Sequence, residues 1–157
     1  MRTIFLLVIG LVTSQACAAG DVTYRPGGPQ FAKAWHSFYD LADHEPDIDD
    51  PLIARGRPMV PLICSAVSHK DMKHRRYAIG ALGYIGDRRA LVALEAILKD
   101  RTEIDYFRGD ALHSIYQIDR ARGSGYALKY KYENSYLTMM SDAILKRAPW
   151  LLEPSEE

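Results

Sequence analysis

The strongest constraint on this chain is that it matches itself at a fixed offset. Displaced by 33 positions, RRYAIGALGYI (residues 75–85) falls on RGDALHSIYQI (108–118), so that Arg75 meets Arg108, Ala78 meets Ala111, Ile79 meets Leu112, Leu82 meets Ile115 and Ile85 meets Ile118. Displaced by 32, RPMVPLICSAV (57–67) falls on RALVALEAILK (89–99), with Arg57 on Arg89, Val60 on Val92 and Leu62 on Leu94. Two adjacent apolar stretches therefore recur together. A period in this range, with two helices per unit, marks a helical solenoid, in which each unit buries its apolar faces only by stacking on its neighbours.

Local patterning agrees. Phe31, Ala34, Trp35, Phe38 and Leu41 form one stripe at the three-and-four spacing of an amphipathic helix. Further helices are predicted over about 51–56, 58–68, 73–85, 87–99, 105–119 and 123–147, the last with one break. No stretch alternates apolar and polar residues between turn signals, so the expected class is all-α. Asp49 or Asp50 is placed to cap the second helix, with Pro51 at its first position, and Asp87 to cap a later one. With 157 residues, 48% of them hydrophobic, the chain can bury one sizeable core but hardly two. The expected organisation is a leader over 1–19, an extended Gly- and Pro-rich lead-in over 20–29, one helical repeat domain over 30–152 and a short tail over 153–157.

The segment GRPMVPLICSAVSHKDMKHRRYAIGALGYIGDRRALVALEAILKD resembles the HEAT-repeat family, in particular its short bacterial, PBS-lyase-like form. The positions that carry the resemblance are Val60, Pro61 and Leu62, then Arg76, Ala78, Ala81, Leu82, Gly83, Ile85, Gly86 and Asp87, then Ala90, Leu91 and Leu94. It covers about 57–120; residues 30–56 and 121–152 depart from it, as end units facing water would. What the resemblance implies is a short HEAT-like α-solenoid of about three to four helical pairs and a habit of binding other proteins. It brings no shared catalytic residues.

The most motif-like stretch is the glycine ladder Gly80, Gly83 and Gly86. A phosphate loop needs its glycines between a strand and a helix, and here the preceding residues are helical. The ladder reads instead as close helix packing at Gly80 and Gly83 and a left-handed helix stop at Gly86. The histidines His36, His44, His69, His74 and His113 lack the spacing of a zinc helix, and no metal is expected. Asp43, Glu45, Asp47, Asp49 and Asp50 crowd one loop without the glycine and terminal Glu of an EF-hand, and read as a solvated connection. Arg108, Gly109 and Asp110 spell an adhesion tripeptide by chance, inside a repeat helix. No nucleophile lies beside a base, and no cofactor or catalytic residue is expected.

Contact with another protein is the remaining role. Tyr126, Tyr130, Tyr132 and Tyr136, interleaved with Lys129 and Lys131, either seal the last repeat or form a contact surface, since tyrosine presents a rigid ring with one polar tip. Arg75 and Arg76, in the basic run HKDMKHRR with Lys70 and Lys73, are the second candidate region, with one of the two arginines expected between repeats. Lys plus Arg equals Asp plus Glu at 20 each, so no global charge draws the chain to nucleic acid.

The leader MRTIFLLVIGLVTSQACAAG has the basic, apolar and small-residue order of a secretory signal peptide, cut after Ala18 or Ala19. Its apolar run is too short to span a bilayer, and Cys17 fits the lipidated cysteine of a lipoprotein poorly. After cleavage only Cys64 remains, in an apolar run where a buried, inert thiol is expected. The expected function is therefore an exported, non-catalytic protein-binding module in a bacterial periplasm or outside the cell, an adaptor or scaffold of an envelope complex. Two alternatives stand beside it: a periplasmic immunity protein that blocks a delivered toxin, and a lyase-like enzyme subunit. The mass of protein recovered from the periplasm of a bacterial host should correspond to a chain starting after Ala18 or Ala19; an intact leader would contradict the export reading.

Overall fold

The computed structural model describes residues 22–41 and 50–148. The leader with Cys17, the loop residues Asp43, His44, Glu45, Asp47 and Asp49, and the tail 153–157 lie outside the described residues. Among the described residues the chain is all-α, with eight α-helices and no β-sheet. They are α1 (Pro29–Asp40), α2 (Pro51–Arg55), α3 (Val60–Val67), α4 (Arg75–Ile85), α5 (Leu91–Lys99), α6 (Asp105–Ile118), α7 (Arg120–Tyr130) and α8 (Ser135–Leu145). A single turn of 3₁₀ helix leads into α3 and another into α5.

The helix starts follow from short polar side chains. Asp50 accepts from the amides of Leu52 and Ile53, Asp87 from that of Arg89, Asp119 from that of Arg122 and Asn134 from that of Leu137. Each carboxylate or amide oxygen satisfies donors that the first helical turn leaves open. The cap at Asp119 starts α7 at Arg120, three residues ahead of the predicted start. The predicted break in the last helical stretch falls at 131–134. Gly86 closes α4 at φ 70°, its amide donating to the carbonyls of Leu82 and Gly83.

Helices α4, α6 and α8 pack side by side, with α6 in the middle; α3 packs on α4, α5 on α6, α7 on α8, and α3 also meets α5. Trp35, Phe38, Leu52, Ile63, Leu82 and Leu112 are among the side chains wholly removed from water between these layers. Such burial is worth about 1.5–3 kcal/mol for each large apolar side chain.

Two edges run along this assembly, each stitched by side chains. On the first, where α1, α3, α5 and α7 begin, Arg55 donates to the Gln30 carbonyl, Arg89 to that of Arg57 at 2.9 Å, Arg88 to Asp119 at 2.7 Å and Arg122 to Glu95 at 2.8 Å. On the second, Lys73 reaches the Tyr39 carbonyl at 3.0 Å, Lys70 reaches Asp100 at 2.7 Å and Arg101 reaches Glu133 at 2.8 Å.

Residues 22–28 belong to no helix and are bonded at Val22, Tyr24, Pro26 and Gly28. Val22 forms a parallel bridge to Met72, and the Tyr39 hydroxyl both accepts from the Tyr24 amide at 2.9 Å and donates to the Tyr24 carbonyl at 2.7 Å. Trp35 donates its indole hydrogen to the Pro26 carbonyl at 2.9 Å, and Tyr24 stacks on His69 with centroids 3.9 Å apart.

Of the ladder glycines, Gly83 is where α4 meets α6. A β-carbon there would stand 2.9 Å from the Cα of Ser114 and would collide with the Gln117 side chain. Gln117 could swing away; the backbone of Ser114 could not. Gly83→Ala gains helix propensity but forces the helices apart, and should destabilise the protein by about 1–3 kcal/mol. A thermal melt followed by circular dichroism would show it, and an unchanged or raised midpoint would contradict the tight crossing.

Candidate functional site: a tyrosine and methionine groove

The three parallel helices α4, α6 and α8 leave a groove on their shared face. Arg76, Gly80 and Tyr84, four residues apart on α4, form one wall with Tyr77; Asp110, His113, Ser114 and Gln117 of α6 form the floor; Tyr136, Met139 and Met140 of α8 form the other wall. The cavity measures about 240 Å³. Gly80 therefore lines the groove, whereas Gly83 serves the crossing beneath it. Ser114 fixes the floor by donating to the Ile79 carbonyl at 3.0 Å, with both groups buried.

Hydrogen bonds hold one end of the groove. Arg76 donates through Nε to Asp110 at 2.7 Å and through Nη2 to the Tyr136 hydroxyl at 3.0 Å, and that hydroxyl donates to Asp110 Oδ1 at 3.0 Å. The Arg76 guanidinium also lies 5.9 Å from the centre of the Tyr106 ring. Tyr136 can lie across α6 because Gly109 has no side chain where its ring sits. Burial, reinforced by the charge of Asp110, raises the Tyr136 phenol above its ordinary value. It stays protonated at neutral pH, as its donation to Asp110 requires. Rings, thioethers and a fixed arginine–carboxylate pair can contact and orient a ligand; Met in particular adapts its shape to what it meets.

Of the seven residues that sequence reasoning singled out, the structure brings Arg76 and Tyr136 together in this groove. Arg75, next in sequence, points into the core. Its side chain is 2% exposed and ion-paired at 2.7 Å with Glu103, itself 3% exposed. Arg75 is thus the arginine that lies between successive helical pairs. Tyr126 and Tyr130 pack on each other on α7, with Lys129 5.1 Å over the Tyr130 ring. Tyr130 is buried, and Tyr132, 83% exposed, lies on the turn that follows with Lys131 5.3 Å over its ring. The turn at 131–134 separates Tyr136 from this group.

Sequence reasoning passed over Tyr77, Tyr84, Tyr106, Gln117, Met139 and Met140, and weighed Asp110 only within a chance tripeptide and His113 only as a metal ligand. A signal was present: at the repeat offset of 33, Tyr77 corresponds to Asp110, Gly80 to His113 and Tyr84 to Gln117. These are three of the non-aliphatic positions that α4 and α6 share at this offset.

Cys64 lies elsewhere, in a smaller cavity of about 170 Å³ between α3 and α5 that also touches Arg75, Glu103, Lys70 and Asp100. Burial, assisted by the charge of Asp87, pushes its thiol up to about 11. No group of three His, Cys, Asp or Glu side chains that could hold a metal ion occurs among the described residues, and none of their helices is long and apolar enough to cross a membrane. Comparison with family models, with curated proteins and with solved structures finds no match to this chain.

The Cys64 environment sets a pH window. The thiol contributes fully to stability below its unfolded value near 9, and the contribution is lost as pH rises through about 11. Alkylation of the folded protein by iodoacetamide should therefore be slow at pH 8 and accelerate only above about pH 10. A reaction at pH 8 as fast as that of the denatured chain would refute this.

Proposed function

We propose that this chain is a short HEAT-like solenoid of three to four helical pairs and that it acts as an exported, non-catalytic adaptor or scaffold, holding a protein partner on the face formed by α4, α6 and α8. The solenoid reading is supported by the spans of the long side-chain ties: Lys70 to Thr102 covers 32 residues, Arg76 to Asp110 covers 34, Arg88 to Asp119 covers 31 and Arg101 to Glu133 covers 32. Bonds that reach one repeat length ahead belong to a stack of like units.

The observation that carries the binding role is the gathering of Tyr77, Tyr84, Tyr136, Met139 and Met140 around one groove, with a fixed Arg76–Asp110 pair at its end. Aromatic residues, Met and Arg are the types enriched at the centres of protein interfaces. The groove is electrically balanced and mostly apolar, suited to a side chain or a short helical turn from a partner.

A photo-crosslinking residue placed at Met139, in protein exported to the envelope of a bacterial host, should give a discrete protein adduct. Tyr84→Ala should reduce its yield about tenfold, the size of an interface hot spot. Substituting Tyr130 and Tyr132 should leave it unchanged. Equal adducts from Met139 and from the distant Val92 would defeat the groove as the binding face.

A further inference from the structure

The edge on which α1, α3, α5 and α7 begin carries exposed Arg55, Arg57, Arg88, Arg89, Arg120 and Arg122. Arg57, Arg89 and Arg122 recur at intervals of 32 and 33, so the row belongs to the repeat. It is continuous in space, because Arg89 bonds the Arg57 carbonyl, Arg88 pairs with Asp119 and Asp119 caps the turn that holds Arg122.

Charges of opposite sign are sorted by depth on this edge. The Asp87 and Asp119 side chains are turned inward, each accepting from a backbone amide, while the Arg88 guanidinium paired with Asp119 is 76% exposed. Glu95 is held between Lys99 and Arg122. Among the described residues, Asp119, Asp87 and Glu95 are each ion-paired with one arginine of this row, and Arg55, Arg57 and Arg120 add further positive charge to its outermost layer. The partial positive charge of helix N-termini adds to it.

We infer that this arginine row is a second interaction surface and that it takes an extended, acidic polypeptide segment. Adjacent helices lie about 8–10 Å apart, and an extended chain of the polyproline II kind advances about 3.1 Å per residue with three residues per turn, which brings every third side chain to one face. Every third side chain of such a segment therefore meets the next arginine set, and the guanidinium fork matches a carboxylate with two parallel bonds. The shape favours a polypeptide over other anions. A membrane is a plane and takes apolar anchors, whereas Val92 is the large apolar side chain exposed beside this single row. Single-stranded nucleic acid takes stacking platforms, whereas Tyr84 and Tyr136 line the groove and Tyr132 lies on the turn after α7. The inference relies on the protein-binding reading only for the class of partner, and a failed crosslink from the groove leaves it standing.

The test is fluorescence anisotropy of a fluorescein-labelled oligoglutamate peptide titrated with the whole exported protein. Binding should be present at low salt and weaken as salt rises. The triple variant Arg57→Ala, Arg88→Ala, Arg120→Ala should bind about tenfold more weakly. The charge-matched variant Lys70→Ala, Arg101→Ala, Lys129→Ala, which removes three positive charges away from the row, should bind as the wild type does. Should the first variant lose helicity, the pair Arg57→Ala, Arg120→Ala, whose side chains form none of the ion pairs above, carries the same expectation. Absence of binding at low salt, equal loss in the two charge-matched variants, or tighter binding to phosphatidylglycerol vesicles or to a single-stranded oligonucleotide than to the peptide would overturn the proposal.

Discussion

Two buried arginines set the register of everything else. Arg75 donates through Nε to the Val67 carbonyl at 2.7 Å, reaching back to the end of α3, and pairs forward with Glu103 under the ring of Phe107, 4.9 Å away. Arg108 repeats the arrangement. It donates through Nε to the Leu98 carbonyl at 2.9 Å, pairs with Glu133 at 2.6 Å, and lies 5.9 Å from the centre of the Tyr130 ring. Each guanidinium thus closes its own pair of helices and fastens it to the turn of the next. Burying such charges is costly, and removing one partner leaves the other stranded at a cost of about 3–5 kcal/mol. A slip of one helical pair along its neighbour would strand both. The apolar layers supply the bulk of the driving force, while these ion pairs fix which layer meets which.

Glu133 shows how closely the design is shared. It accepts from the buried Arg108 and from the exposed Arg101, and these two bonds hold its carboxyl below the usual carboxylate range. Asp100 does comparable work one unit earlier, bonded by Lys70 and by Thr102. On the edge opposite the arginine row, the described charges are thus paired from one helical pair to the next, Lys70 with Asp100 and Arg101 with Glu133. The groove face is paired too, through Arg76 and Asp110. Among the described residues, it is the edge where the first helices begin that turns its carboxylates inward and its guanidiniums outward.

Much of this was legible in the sequence because the determinants are local or periodic. The offset of 33 set Arg75 and Arg108 in equivalent positions, Asp87 and Gly86 were readable as caps from their immediate neighbours, and Asp50 as one of two candidates beside Asp49. The choice between Arg75 and Arg76 was not readable, because adjacent positions on a helix differ by about 100° and only the packing of α5 and α6 decides which turns inward. The tyrosine-rich stretch failed to resolve for a similar reason. Tyr126, Tyr130, Tyr132 and Tyr136 look like one series, yet Asn134 caps a new helix between the last two and sends Tyr136 to a different face. The groove itself depends on three helices distant in sequence, so its residues share a signal only after the repeat has been laid out.

The strap of residues 22–28 has a consequence for orientation. It runs antiparallel to α1, from Val22 beside the α3–α4 turn to Gly28 at the start of α1, held at Tyr39 and Trp35 along the way. Val22 thus sits at the edge opposite the arginine row, and Gly28 at the edge that carries it. A surface or partner that took hold of Val22 would therefore meet the domain with its arginine row at the far end, an orientation decided by seven residues that belong to no helix.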